Sequence, residues 1–134
     1  MIPITLTLEG LYSYQERQTI DFKSLTQTGL FGIFGSVGSG KSSILEAMSF
    51  ALFGRTERMH ARDNRSYNMM NLKSNRLYLE FIFLNHENKK FKINREFRRN
   101  SKNFNDIVNR EAVLYEEKNG EWVPLPDLDI EKIL

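Results

Sequence analysis

Gly35, Gly40, Lys41 and Ser42 stand in the order G-x-x-x-x-G-K-S within "FGSVGSGKSS", the spacing of a loop built to hold phosphate. Each residue type has a physical task in that chemistry. Glycines at 35, 38 and 40 let the backbone take positive φ and bring its N–H groups up to an anion without side chains in the way. Ser36 and Ser39 lie between them and add their own N–H groups to the same cradle. Lys41 would reach the β- and γ-phosphates of ATP, and the Ser42 hydroxyl would ligate Mg²⁺, a hard cation that prefers oxygen. Ser43 could add a hydrogen bond to the α-phosphate. The expected cofactors are therefore ATP and Mg²⁺.

Such a loop works only between a buried strand and a helix, and both are legible. "LFGIF" (30–34) is short, apolar and stopped by glycine, as expected of a strand buried on both faces. "SILEAMSFALF" (43–53) places Ile44, Ala47, Met48, Ala51 and Leu52 at helical spacing. Leu45, Phe50 and Phe53 make that helix apolar nearly all round, which predicts burial. Gly54 is its expected C-cap.

Before the loop, "ITLTLEGL" alternates apolar and polar from Ile4 to Leu8 and predicts a strand, with "QTIDF" (18–22) as a short second one that could pair with it. Residues 54–74 show no clean period, and connections of that length are usually functional or mobile. "RLYLEFIFLN" (76–85) and "KKFKINREFRR" (89–99) predict a hairpin across "HEN", with Phe91, Ile93 and Phe97 on one face and Lys92, Asn94, Glu96 and Arg98 on the wet one. A second hairpin, "EAVLYEE" (111–117) with "EWVPL" (121–125), turns at Asn119-Gly120, the pair a type I′ turn prefers. Trp122, beside that turn, is expected to pack onto the core. "DLDIEKIL" opens a helix behind an aspartate cap.

The length of 134 residues suits one domain. With no cysteine, disulfides and thiolate metal sites are excluded. No stretch has the roughly 18 apolar residues of a membrane span, and the N-terminus lacks the basic and apolar regions of a signal peptide. The expectation is a cytoplasmic protein with no membrane partner.

The net charge of +2 conceals an asymmetry. Residues 1–50 carry 3 basic and 4 acidic side chains, residues 51–110 carry 14 and 6, and residues 111–134 carry 2 and 7. A basic middle segment could attract phosphate backbones, or could simply be a set of solvated strand faces. Arg55, Arg58, Arg62 and Arg65 recur at a spacing that would make one stripe on a helix. His60 among them has no metal-ligand set around it. Aromatics interleave with the basic residues at Phe91, Phe97 and Phe104, and strand alternation favours core packing for them over base stacking.

"GLFGIFGSVGSGKSSILEAMSFALFGRTER", with "LTLEGLYSYQERQTIDF" upstream and the basic hairpin ending in "INREFRR" downstream, resembles the N-terminal ATPase half of the SbcC family. That family comprises the SMC-like subunits of the bacterial SbcC–SbcD nuclease. The resemblance implies an α/β fold: part of an ABC/SMC-type P-loop NTPase head lobe, with a mixed sheet around the P-loop helix and antiparallel β-hairpins. It implies a head split by a long coiled coil, whose C-terminal half supplies the Walker B acid and signature motif. It implies head-to-head homodimers that sandwich ATP, an SbcD-like nuclease partner, double-stranded DNA ends as substrate and an association with the nucleoid. ATP would gate the access of DNA to the nuclease.

On the resemblance, Gly35, Gly38, Gly40, Lys41, Ser42 and Ser43 carry over to nucleotide and Mg²⁺ binding. Val37 stands where many SMC-like loops have asparagine, and Tyr12 where some relatives have a basic residue. Ser13 and Tyr14 are expected near the nucleotide. Because the family places DNA on its heads, candidate DNA contacts are Arg55, Arg58, Arg62, Arg65, Lys89, Lys90, Lys92, Arg95, Arg98, Arg99 and Lys102.

No glutamine follows Gln27, and no apolar run ends in Asp-Glu. The groups that position attacking water are therefore absent. The expectation is a piece of a longer protein, with no catalytic residue of its own, that binds ATP and turns it over negligibly. Other classes share the loop: the nucleotide-binding domain of an ABC transporter, a small P-loop kinase, or a non-enzymatic nucleic-acid module whose loop holds an anion.

Overall fold

Strict alternation of side chains lets a strand bury one face and wet the other, and residues 76–84 alternate between half-buried and fully buried without a break. In the computed structural model, which describes residues 1–23, 41–54, 70–104 and 106–134, this strand is β3 of a six-stranded sheet. The elements are β1 (Ile2–Glu9), β2 (Gln18–Asp21), α1 (Lys41–Phe53), β3 (Arg76–Leu84), β4 (Lys90–Arg99), β5 (Ile107–Lys118), β6 (Glu121–Pro124) and α2 (Ile130–Ile133). The sheet order is β2-β1-β3-β4-β5-β6, and every pairing among the described residues is antiparallel. The strand expected at 30–34 lies outside the described residues.

The core forms where α1 lies against β3 and β4. Ala47, Phe50, Ala51 and Leu52 meet a sheet face made of Leu6, Leu8, Leu77, Leu79, Phe81, Phe83, Phe91, Ile93, Phe97 and Leu114. Phe50 and Phe97 pack ring to ring at 5.0 Å. Each fully buried Leu, Ile or Phe among them contributes roughly 1.5–3 kcal/mol. The helix is not covered on every side as its composition predicts. Leu45 and Phe53 are 39% and 44% exposed, because the described strands flank α1 on one side only.

The turns follow their local chemistry. Asn119 and Gly120 both have positive φ, 54° and 80°, as a type I′ hairpin requires. Gly54, at φ 73°, donates its N–H to the Phe50 carbonyl at 2.8 Å and ends α1. Asp129 caps α2 by accepting from the Lys132 N–H. β5 begins at Ile107, four residues earlier than its alternation predicts, because a bulge interrupts the period. Glu96 pairs with Glu111 and Phe97 with Asn109, so Arg110 has no partner across the ladder.

Trp122 lies away from the core rather than on it. It pairs with Glu117 on the face opposite α1, its ring 4.8 Å from the Lys92 ammonium. Tyr115 flanks the same ammonium at 4.7 Å.

Candidate functional site

α1 begins at Lys41, the residue after the glycine-rich loop, so Lys41, Ser42 and Ser43 form its first turn. Residues 35–40 lie outside the described residues, as do Arg55, Arg58, His60, Arg62 and Arg65. The first turn of a helix presents unpaired N–H groups and a partial positive charge. No acidic side chain of α1 occupies that turn. Its one carboxylate, Glu46, accepts a hydrogen bond from the Tyr12 hydroxyl.

That contact ties the loop after β1 to the helix. Tyr12 has φ 48°, and the loop closes with the Gly10 N–H on the Tyr14 carbonyl at 2.7 Å. Asn71 holds it from the other side. Its backbone N–H donates to the Gly10 carbonyl at 2.8 Å and its side-chain amide to the Tyr12 carbonyl at 2.6 Å. The segment carrying Ser13 and Tyr14 is thus fastened beside the helix.

The opposite end of α1 has a cation that sequence reasoning assigned elsewhere. Arg95 is 7% exposed, on the core face of β4 between Ile93 and Phe97. Its Nε donates to the Ala51 carbonyl at 2.6 Å and its Nη2 to the Leu52 carbonyl at 3.0 Å. Burial, with no carboxylate beside it among the described residues, lowers its pKa from the ordinary value. α1 has no basic residue in its own last turn, so Arg95 supplies the charge that complements the negative helix end. Arg95 is therefore corrected from a candidate DNA contact to a cap of the P-loop helix. Arg95→Met should cost about 2–4 kcal/mol in urea denaturation, because two buried carbonyls lose their donors. Arg95→Lys should cost less, since an ammonium keeps the charge but not the fork. An unchanged midpoint in both would remove the cap.

Arg99 is corrected in the same way. At 9% exposure its guanidinium donates to the carbonyls of Phe104 at 2.6 Å, Ser74 at 3.1 Å and Asn71 at 3.3 Å. Both arginines sit at inward positions of the alternation, where the backbone, not solvent, takes their donors.

The remaining basic candidates on the sheet are accessible but mostly paired. Lys89 meets Glu87 at 3.4 Å, Lys90 meets Glu117 at 3.6 Å, and Lys92 lies between its two rings. Arg98 donates to Glu96 at 2.8 Å. Glu96 also accepts from Arg76 at 2.7 Å, and chiefly that bond holds its carboxyl below the usual range. Arg76 and Arg17 both reach Glu9 and flank the Tyr78 ring. Burial, then the bond to Glu80, pushes the Tyr78 hydroxyl up to about 12. Lys102 and Arg110 are exposed, and among the described residues their side chains make no ion pair. Arg110 was not among the basic residues singled out from sequence. The signal was the broken alternation at 107–110, which a bulge explains.

Among the described residues there is no cluster of metal-ligating side chains and no helix long and apolar enough to cross a membrane.

The fold is α/β, with an antiparallel sheet among the described residues and α1 packed on it. It matches the structure of the recombination mediator protein RecF–ATP with a TM-score of 0.54 at 14% identity, over 96% of this chain and 29% of that one. The chain belongs to the AAA domain family, whose model matches residues 5–124. It is 45% identical over 101 residues to the SbcC subunit of nuclease SbcCD from Bacillus subtilis, covering 74% of this chain and 9% of that protein. It is 41% identical over 104 residues to the SbcC subunit of the same nuclease from Clostridium acetobutylicum, covering 76% and 8%. The chain thus spans about a tenth of the length of the curated relatives it matches. The SbcC resemblance read from the motifs stands on these relatives.

Proposed function

We propose that residues 35–43 bind Mg-ATP and that the chain is the ATP-binding N-terminal segment of an SbcC-like subunit of a DNA double-strand-break repair nuclease. In that whole protein, ATP binding and hydrolysis by the complete head, an ATPase, gate the access of DNA ends to a partner nuclease. The partners are an SbcD-like nuclease, the C-terminal half of the head, and a second head in an ATP-dependent homodimer. The place of action is the cytoplasm, at the nucleoid.

One observation carries the nucleotide reading. α1 starts at Lys41 with no acid in its first turn, while the buried Arg95 neutralises its far end. A helix N-terminus with no acid of its own in the first turn favours an anion there. Ser42 offers a hard oxygen for Mg²⁺, and Gly35, Ser36, Gly38, Ser39 and Gly40 offer backbone donors. Among the candidate DNA contacts, Lys89, Lys90, Lys92, Arg98 and Lys102 keep accessible positions on the strands and turns beyond the helix.

The test is calorimetric. Mg-ATP should bind the chain saturably, and EDTA should weaken it by about tenfold or more, the loss of roughly 1.4 kcal/mol from one metal contact. Absence of binding at saturating nucleotide would overturn the proposal.

A further inference from the structure

Of the three aromatics interleaved with basic residues, two are core and one is not. Phe91 and Phe97 are buried, whereas Phe104 is 50% exposed. Phe104 lies past the end of β4, where alternation no longer assigns a face. One side of its ring rests on the Arg99 guanidinium, with Cζ 3.9 Å from the centroid. Arg99 is itself fixed by three backbone carbonyls. The ring therefore sits on a rigid, cationic support, and half of the residue's surface stays exposed.

Arg99, which carries the ring, also lines a cleft of about 260 Å³ together with Arg98, Asn100, Ser101, Val108 and Arg110. Arg110 is the residue that the bulge removes from the ladder, and bulges commonly re-aim a side chain toward a site. Its guanidinium makes no ion pair among the described residues. Arg98 stays half-exposed beside Glu96.

We propose that this corner, between the end of β4 and the start of β5, binds an unpaired nucleotide of a DNA strand. The base stacks on the open face of Phe104, and Arg98 and Arg110 hold the flanking phosphates in the cleft. Stacking is indifferent to base identity but requires a base free of its duplex, because a paired base has no open face. The corner thus distinguishes a frayed or single-stranded end from a blunt one. This inference rests on the DNA-binding reading above and adds the form of DNA recognised.

The experiment uses the full chain with a short single-stranded oligodeoxynucleotide carrying a fluorescent adenine analogue, and with a blunt duplex of the same length. Phe104→Ala should weaken single-strand binding by about 5- to 150-fold, the loss of one stacked base, and abolish the quenching of the analogue. Duplex binding should stay within about twofold, because phosphate contacts remain. Phe104→Tyr should restore both readouts, and Arg110→Glu should weaken both DNA forms alike. A mononucleotide should displace the strand only at far higher concentration. Equal loss of both forms in Phe104→Ala, or of neither, overturns the stacking corner and leaves DNA binding standing. Displacement by a mononucleotide as readily as by the strand replaces the strand with a free nucleotide and overturns the proposal. Failure of the unsubstituted chain to bind any oligonucleotide overturns this inference and the DNA reading together.

Discussion

Replacing Lys41 by alanine should lower Mg-ATP affinity by about 10- to 150-fold while leaving the denaturation midpoint unchanged or slightly raised. The expected loss follows from one charged hydrogen bond to phosphate, roughly 1.5–3 kcal/mol. Stability should hold because Lys41 is the first residue of α1, where alanine is a good helix former. The pattern of lost affinity without lost stability is diagnostic, since a merely structural lysine would move both or neither. Calorimetry paired with a urea melt reads the two quantities. Equal nucleotide affinity in both proteins would take Lys41 out of the site.

Gly10→Ala should act in the opposite way, costing on the order of 3–5 kcal/mol of folding stability. Gly10 has φ +75°, and a Cβ there would lie 2.0 Å from the Arg76 carbonyl oxygen and 3.3 Å from the Ser74 Cβ. The left-handed conformation alone costs an alanine roughly 1–2 kcal/mol. The remainder is steric: β1 must move away from the start of β3, or the loop must open. Opening the loop breaks the bonds from Asn71 to Gly10 and Tyr12, and with them the contact of Tyr12 with Glu46 on α1. Gly120→Ala is the control. Gly120 has φ +80° but nothing within 4 Å of the added atom, so it should cost only about 1–2 kcal/mol. Urea denaturation of both variants separates backbone strain from collision, and equal midpoints would mean that the approach of Arg76 relaxes freely.

Much of this protein is local, and local features were readable without a fold. The phosphate-binding spacing at 35–42 needs only residue types in order. The helix after it, the Gly54 and Asp129 caps and the Asn119-Gly120 turn each depend on neighbours within one turn of chain. Period-two alternation marked the inward faces of β1 and β4, because side chains on a strand can point only two ways.

Only the tertiary structure decided what the inward arginines do. Alternation placed Arg95 and Arg99 on the same face as Phe91, Ile93 and Phe97, yet charge argued for solvent. The helix-end carbonyls that satisfy Arg95 lie 44 and 43 residues away in sequence. Nothing local announces such partners, so both arginines stood among the candidate DNA contacts. The reverse held for Phe104 and Arg110. One lies beyond the end of its strand and the other on a bulge, so the period that assigned their neighbours to the core or to water does not reach them. The sheet order β2-β1-β3-β4-β5-β6 was settled the same way. The pattern along a strand tells which face is buried, but which strand lies beside it depends on contacts that only the folded chain brings together.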